Sequence, residues 1–148
     1  MKSPAELTEL FRARGLKVTP QRQAIFRVLH GEATHPTAES VYAAVSETMP
    51  TISLRTVYQT LNDLAAMGEV HALDLGTGSA RFDPNLDAHH HLVCEVCGRV
   101  DDVYADASTV TVPSQHRHGF TIKSTEVVFR GTCPDCSTRN RKRKEVHA

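Results

Sequence analysis

The sequence predicts an α+β chain with an N-terminal winged helix-turn-helix domain and a small second domain that contains strands. Three observations lead to this class. Four segments with helical apolar spacing come first, and a hairpin pattern follows them. The pattern then changes to strands, in a region that contains the four cysteines of the chain. We place the first domain at 1–83, a hinge at 84–88, the second domain at 89–136 and a basic, disordered tail at 137–148.

Each predicted helix begins at a capping residue and ends at a helix-breaking one. Apolar residues recur at three- and four-residue intervals within each segment, as a helix with one buried face requires. Thr and Ser are good N-cap residues, and Pro suits the first helical position. The predicted helices are 4–14 before Gly15, one that opens at Thr19-Pro20, one between Thr37 and Met49-Pro50, and 54–67 between Ser53 and Gly68.

The fourth helix has an apolar face, made of Leu54, Val57, Leu61 and Leu64, and an opposite polar face. A hairpin with strands at 70–75 and 80–83 and a glycine-rich turn follows it. Helices joined by a tight turn and followed by such a hairpin are typical of a winged helix-turn-helix. An ordinary helical domain with a solvated polar face is the alternative interpretation.

Charge is balanced over the whole chain, with 17 basic and 17 acidic side chains, but it is unevenly distributed. The first thirty residues hold basic groups at Lys2, Arg12, Arg14, Lys17, Arg22 and Arg27 against acidic groups only at Glu6 and Glu9. A local basic patch matters more for binding a polyanion than the net charge does. The basic segment and the hairpin together favour DNA binding.

The most unusual stretch is 89–98, where three histidines run into a Cys-x-x-Cys pair. Alternate residues of a strand face the same way, so His89 and His91 can approach one ion together. The four thiols of the chain form two knuckles, Cys94 with Cys97 and Cys133 with Cys136. Four thiolates form a closed, tetrahedral structural zinc site with no open catalytic position. The ion would pin the end of the second domain to its first hairpin.

The sequence has no apolar run typical of a signal peptide or of a membrane-spanning helix. We therefore expect a cytoplasmic protein. In a reducing compartment, paired Cys-x-x-Cys units are more typical of zinc ligation than of disulfides.

Strands of the second domain are predicted at 89–94, 99–104 and 121–129. The connection 105–119 is expected to be a short or broken helix, since Val110 to Pro113 disfavour a regular one.

The chain resembles the ferric uptake regulator (Fur) family of metal-dependent bacterial repressors. The resemblance rests on Arg14-Gly15-Leu16-Lys17-Val18-Thr19-Pro20-Gln21-Arg22, Arg55-Thr56-Val57-Tyr58, His89-x-His91-x-x-Cys94-x-x-Cys97-Gly98 and Cys133-x-x-Cys136. It implies that the N-terminal domain binds DNA, that the C-terminal α/β domain dimerises, and that a regulatory metal lies at the hinge. The expected protein is a homodimeric repressor of a palindromic double-stranded DNA operator, and not an enzyme.

The resemblance implies that the regulatory ligands are His35, Asp83, His89, His91 and Asp102. Such a set of imidazoles and carboxylates suits Fe²⁺ or Mn²⁺ and would also accept Zn²⁺. The residues alone do not separate Asp102 from its neighbour Asp101, and only the resemblance favours Asp102.

Asp83 stands where many iron sensors of the family carry glutamate, and this resembles the peroxide-sensing branch. In that branch, bound Fe²⁺ reacts with hydrogen peroxide and a histidine ligand is oxidised. The candidates for oxidation are His35 and His89. An iron- or zinc-uptake regulator is the alternative within the family.

The expected DNA-contacting residues are Lys17, Arg55, Thr56, Tyr58 and Gln59. Relatives often have arginine at the position of Gln59, and glutamine favours adenine edges.

Two positions depart from the family pattern. Ala88 and Thr125 stand where several members carry the histidines of a further metal site, so we do not expect that site. We interpret His90, His116 and His118 as solvated or locally bonded, and Glu95 and Glu126 as solvated strand charges.

Functions of other classes are a zinc-dependent hydrolase and a metal-storage module. A hydrolase needs an open metal beside a general base, and no His-Glu-x-x-His or comparable motif is present. The polar helix face and the hairpin argue against storage without DNA binding.

Overall fold

The computed structural model describes residues 1–32 and 34–139. The chain forms two compact units, Met1–Asp87 and a second unit that begins at Ala88. The division falls inside the segment that the sequence predicts as a hinge, 84–88. Each unit is described by itself below.

The first unit contains four helices whose first turns are capped as expected. The side chains of Ser3, Thr19, Thr37 and Ser53 each accept a hydrogen bond from the backbone N–H three residues later. Such caps satisfy donors that have no partner inside the helix. The helices are α1 (Pro4–Ala13), α2 (Pro20–His30), α3 (Ala38–Ser46) and α4 (Leu54–Ala66).

The core of this unit lies between the helices and is built from large apolar side chains. Phe11 and Phe26 are fully buried and meet edge to face, with ring centroids 4.8 Å apart. One predicted core residue is wrong: Leu54 is 37% exposed. The completely buried Thr60 lies on the inner face of α4 instead, because its hydroxyl donates to the Thr56 carbonyl at 2.8 Å and so needs no water.

A two-stranded antiparallel hairpin follows α4. Its strands are β1 (His71–Leu73) and β2 (Arg81–Asp83), shorter than the sequence predicts. The turn residues Gly76 and Gly78 have φ values of +71° and +98°, which only glycine adopts readily. The fold of this unit is a winged helix-turn-helix.

The second unit contains a three-stranded sheet of order β4-β3-β5. Strands β3 (His90–Cys94) and β4 (Val100–Val103) are antiparallel, whereas β3 and β5 (Val128–Gly131) are parallel. Its buried apolar side chains are few among the described residues. They are Val93, Cys94, Val100 and Cys136.

The prediction for the last strand is wrong in its bounds, because β5 begins at Val128 and ends at Gly131 instead of covering 121–129. Apolar alternation in the sequence is not sufficient for a strand, which also needs a partner to satisfy its backbone groups. In the segment 105–119, the helical structure is one 3₁₀ turn, Ser114–His116.

Residues 134–139 are helical, and the Thr138 hydroxyl donates to the Pro134 carbonyl at 2.9 Å. The predicted disorder is therefore wrong for 137–139, where the helix that starts at Pro134 continues. The rest of the predicted tail, 140–148, lies outside the described residues. Within the described part of the chain, no helix has the length and apolar character needed to cross a bilayer.

Candidate metal sites and nucleic-acid interface

The four cysteines of the second unit converge. Their sulfur atoms lie within 4.8 Å of one another, and the Cys97 and Cys133 sulfurs are 3.7 Å apart. Two thiolates bound to one zinc ion at its usual bond length and tetrahedral angle would be about 3.8 Å apart. The knuckle Cys94–Cys97 follows strand β3, and Gly98 closes it with a positive φ of 75°. The residues present therefore fit a tetrahedral zinc ion.

The electrostatics of this cluster agree with a site that needs a cation. Hydrogen bonds from the backbone N–H groups of Cys133 and Cys97 lower the pKa of the Cys94 thiol to about 6. The Cys133 backbone N–H lies 3.3 Å from the Cys94 sulfur. In contrast, the hydrogen bond with the Cys133 side chain, together with burial, raises the pKa of Cys136 to about 12. One thiolate is stabilised by the backbone, and complete deprotonation of the cluster requires a bound cation.

In the first unit, the structure brings His35 and Asp83 together. The backbone N–H of Phe82 donates to the Pro36 carbonyl at 2.9 Å, which fixes the segment that follows His35 against strand β2. His35 Nε2 lies 3.4 Å from Asp83 Oδ2, and both side chains are almost completely buried. A buried imidazole beside a buried carboxylate supplies ligand types that suit a divalent cation.

In the second unit, the structure brings His89, His91 and Asp102 together. The Nε2 atoms of the two histidines are 3.1 Å apart, and His89 Nε2 lies 3.3 Å from Asp102 Oδ1. Two imidazole nitrogens bound at right angles to one ion would be about 3.0 Å apart. The buried rings and the carboxylate therefore fit a divalent cation.

The sheet register separates Asp102 from Asp101, which the residues alone do not. Asp102 pairs with His91 across β3 and β4, whereas Asp101 pairs with the exposed Leu92. Asp101 instead forms an ion pair with Arg99 at 2.8 Å. The antiparallel pairing thus places Asp102 on the histidine face.

The sequence-based predictions for His90 and Glu126, two residues near this cluster, can be compared with their contacts. His90 Nδ1 accepts a hydrogen bond from the Val127 backbone N–H at 3.2 Å, so His90 is locally bonded. Glu126 is exposed, as expected, but it lies before β5 and not in a strand, and its carboxylate also lies 2.7 Å from His91 Nδ1. These residues are far apart in the sequence, and no local signal links them. Glu95 is exposed, as expected.

The candidate DNA face lies on the outer side of α4. Arg55 and Gln59 are exposed, and Thr56 and Tyr58 are half-buried. The Thr56 hydroxyl contacts the hydroxyl of the cap residue Ser53 at 2.9 Å. Lys17, before α2, is also exposed. This arrangement presents a cation, amide and hydroxyl groups, and an aromatic ring on a helix that can enter a major groove.

The hydrogen-bond partner of Tyr58 is not evident from the sequence. The Tyr58 hydroxyl donates a 2.6 Å hydrogen bond to the carboxylate of Glu39 in α3. Only the packing of α3 against α4 reveals this pairing.

Comparisons with known proteins agree with this architecture. The family model described as "Ferric uptake regulator family" matches residues 13–130. The peroxide-responsive repressor PerR of Staphylococcus aureus is 37% identical over 129 residues, which is 86% of this chain and 87% of that protein.

Solved structures of the same family also resemble this chain. The ferric uptake regulator from Pseudomonas aeruginosa, solved with manganese, is 30% identical, with a TM-score of 0.63 over 85% of this chain and 96% of its own. PerR from Streptococcus pyogenes is 27% identical, with a TM-score of 0.53 over 92% and 94%. The ferric uptake regulator of Helicobacter pylori shares the fold, with 21% identity and a TM-score of 0.74 over 93% and 97%. From its sequence, its clusters of metal-ligating residues and these likenesses, the chain belongs to the ferric uptake regulator family.

Proposed function

We propose that this protein is a homodimeric, metal-dependent repressor that binds a palindromic DNA operator and leaves it when peroxide oxidises a histidine ligand. The observation that carries the proposal is the presence of two chemically different kinds of ligand cluster. One kind consists only of thiols, and the other, found in each unit, combines imidazole with carboxylate groups. A structural ion and a regulatory ion need this kind of separation.

The four cysteines hold a structural zinc ion in this proposal. The second unit has few buried apolar side chains among its described residues, so its hydrophobic core alone gives limited stability. Zinc bound by four thiolates contributes its binding free energy to folding. The ion thus stabilises the unit that we expect to dimerise.

The regulatory ion is held by His35, Asp83, His89, His91 and Asp102. The first two ligands belong to the DNA-binding unit and the other three to the second unit. Binding of one ion by both sets would restrict how the two units are arranged. By linkage, an ion that favours the DNA-binding arrangement increases DNA affinity, and DNA equally increases the affinity for the ion.

Bound Fe²⁺ would give one electron to hydrogen peroxide and so form an oxidant beside the imidazoles, which Mn²⁺ and Zn²⁺ would not do in this way. In the net reaction, one peroxide oxygen is added to a histidine ring, which loses two electrons, and the other leaves as water. The chain supplies the group that is modified: the imidazoles of His35 and His89 lie within the ligand sets. Both side chains are less than 5% exposed, so each ring is protected from reagents in bulk solvent. Oxidation of either ring removes a ligand, and DNA affinity falls with the affinity for the ion.

The outer face of α4 reads the operator in this proposal. Arg55 and Gln59 can reach base edges or phosphates, and Lys17 adds a contact to the DNA backbone. In a dimer, two such helices meet successive major-groove faces of a palindromic site.

Metal-dependent DNA binding is tested with a duplex that the protein itself selects from a random pool. We expect the zinc-loaded protein to bind this duplex when Mn²⁺ is added and to release it when Mn²⁺ is removed. His91→Ala should keep its zinc and lose the response to Mn²⁺. DNA binding that does not depend on Mn²⁺, Fe²⁺ or a second zinc ion would contradict the proposal.

An iron- or zinc-uptake regulator is the second candidate function, because its regulatory ion could be bound by the same ligands. The same imidazoles and carboxylates accept Zn²⁺ and Fe²⁺, so metal binding alone does not separate the two functions. Only the response to peroxide distinguishes a peroxide sensor from an uptake regulator.

A further inference from the structure

Glu126 makes a contact that the ligand set does not require. Its carboxylate lies 2.7 Å from Nδ1 of His91, whereas Nε2 of the same ring lies 3.1 Å from His89. An ionised carboxylate only accepts hydrogen bonds, so Nδ1 must carry the proton and donate it. The lone pair of the ring then lies on Nε2, the nitrogen that faces the other ligands.

The backbone beside Glu126 is fixed to the same strand. The backbone N–H of His91 donates to the Val127 carbonyl at 3.1 Å, and the Val127 N–H donates to His90 at 3.2 Å. These bonds hold the segment before β5 in one register with β3. The backbone therefore places Glu126 beside His91.

Burial differs between the two partners in a way that suits an orienting role. The His91 side chain is 3% exposed, whereas the Glu126 side chain is 48% exposed. The carboxylate remains hydrated while one of its oxygens bonds to the buried ring. Because it bonds to Nδ1, on the far side of the ring from Nε2, it is placed to orient the ring and not to ligate the same ion.

We propose that Glu126 is a positioning residue for the regulatory metal: it fixes His91 in the Nδ1–H tautomer and aims Nε2 at the ion. This inference rests on the proposed function, in which His91 is a ligand. A carboxylate bonded to the second nitrogen of a ligating histidine fixes the ring and increases its basicity. Loss of such a partner typically weakens metal affinity roughly 10- to 100-fold.

Mn²⁺ affinity, measured from the free-ion electron paramagnetic resonance signal, tests this role without DNA or peroxide. We expect Glu126→Ala to weaken Mn²⁺ binding roughly 10- to 100-fold. Glu126→Gln keeps an acceptor oxygen but loses the charge. Its Mn²⁺ affinity should therefore lie between that of the unchanged protein and that of Glu126→Ala. Glu95→Ala is the matched control, because it removes an exposed acid that immediately follows β3. It should bind Mn²⁺ like the unchanged protein, and all variants should retain their zinc.

A double-mutant comparison separates an action through His91 from a general electrostatic effect. In a His91→Ala background, whose weakened residual Mn²⁺ binding is titrated at higher Mn²⁺ concentration, Glu126→Ala should cause no further loss of affinity if Glu126 acts through His91. Equal losses in both backgrounds would overturn the proposal.

Nitrogen-15 spectra of the histidine rings give a second, independent readout. His91 should carry its proton on Nδ1 in the Mn²⁺-free protein and lose this preference in Glu126→Ala. An unchanged tautomer together with unchanged Mn²⁺ affinity would overturn the inference. If His91→Ala itself binds Mn²⁺ normally, the proposed regulatory site fails instead.

Discussion

The hydroxyl of Tyr58 donates a 2.6 Å hydrogen bond to the Glu39 carboxylate, joining the candidate recognition helix to α3. This bond lowers the pKa of Glu39, and the same contact raises the pKa of Tyr58. The tyrosine hydroxyl is therefore directed to the protein. We propose that the ring of Tyr58 is the part of the side chain that contacts DNA.

We predict that Tyr58→Ala weakens binding to the selected duplex much more than Tyr58→Phe, because phenylalanine keeps the ring. Fluorescence anisotropy measures both affinities, and Arg55→Ala should also weaken binding. None of these variants should change the zinc or Mn²⁺ content. If all of these variants bind the duplex as tightly as the unchanged protein does, another face of the domain contacts DNA.

The same bond gives a pH dependence. Since the pKa of folded Glu39 is lowered, its contribution to stability is present above the unfolded pKa and is lost as pH falls through the folded value. In Tyr58→Phe, the Glu39 pKa should return towards its ordinary value. Carbon-13 titration of the glutamate carboxyls checks this shift.

Lys17 is exposed next to the start of α2, and we expect it to meet the DNA backbone. Lys17→Ala should weaken binding to unrelated duplexes as much as binding to the selected one. The slope of log affinity against log salt should fall by about one, because one phosphate contact is lost. A loss confined to the selected sequence would instead indicate that Lys17 reads bases.

Arg22 has a structural role in the first unit. Its guanidinium donates to Asp63 at 2.9 Å and to the Lys17 carbonyl at 3.2 Å, and it lies 5.2 Å from the centre of the Phe11 ring. Arg22→Ala should reduce the free energy of unfolding by about 2 kcal/mol, since hydrogen bonds to charged groups are lost from a largely buried side chain.

Denaturant unfolding measures that loss, and Arg27→Ala is the control. Arg27 lies on the same helix but is exposed. Its replacement should change the free energy of unfolding little. If Arg22→Ala and Arg27→Ala are equally stable, the Arg22 contacts do not stabilise the unit.

Cys97→Ser should lose one zinc ion per subunit, and the protein should then no longer form a dimer. We expect the second unit to depend on this ion, because its described residues bury few apolar side chains. Metal analysis and sedimentation measure both effects. Asp135→Asn, an exposed change inside the second knuckle, should leave zinc and dimer intact. A stable dimer without zinc would exclude a structural role for the thiolate cluster.

Features set by neighbouring residues could be predicted from the sequence. Capping residues such as Thr19 and Ser53 act within one helical turn. His89 and His91 lie two residues apart, and their convergence follows from the alternation of an extended chain. The knuckle Cys94–Cys97 is equally local.

Features set by distant partners could not be predicted in this way. The start of β5 at Val128 depends on its pairing with β3. The contacts of Glu126 with His91 and of Arg22 with Asp63 each join residues that only the folded backbone brings together. The choice of Asp102 over Asp101 likewise depends on the register between β3 and β4.

The response to peroxide of protein loaded with Fe²⁺ or with Mn²⁺ tests the central claim most directly. Each form is bound to the selected duplex and exposed to low peroxide. Release is followed by anisotropy, and the modified position is located by fragment masses. The Fe²⁺ form should leave the DNA and gain one oxygen, about 16 mass units, on His35 or His89, whereas the Mn²⁺ form should remain bound and unmodified. If both forms respond alike, or if only the cysteines gain oxygen, the protein does not sense peroxide through its regulatory metal.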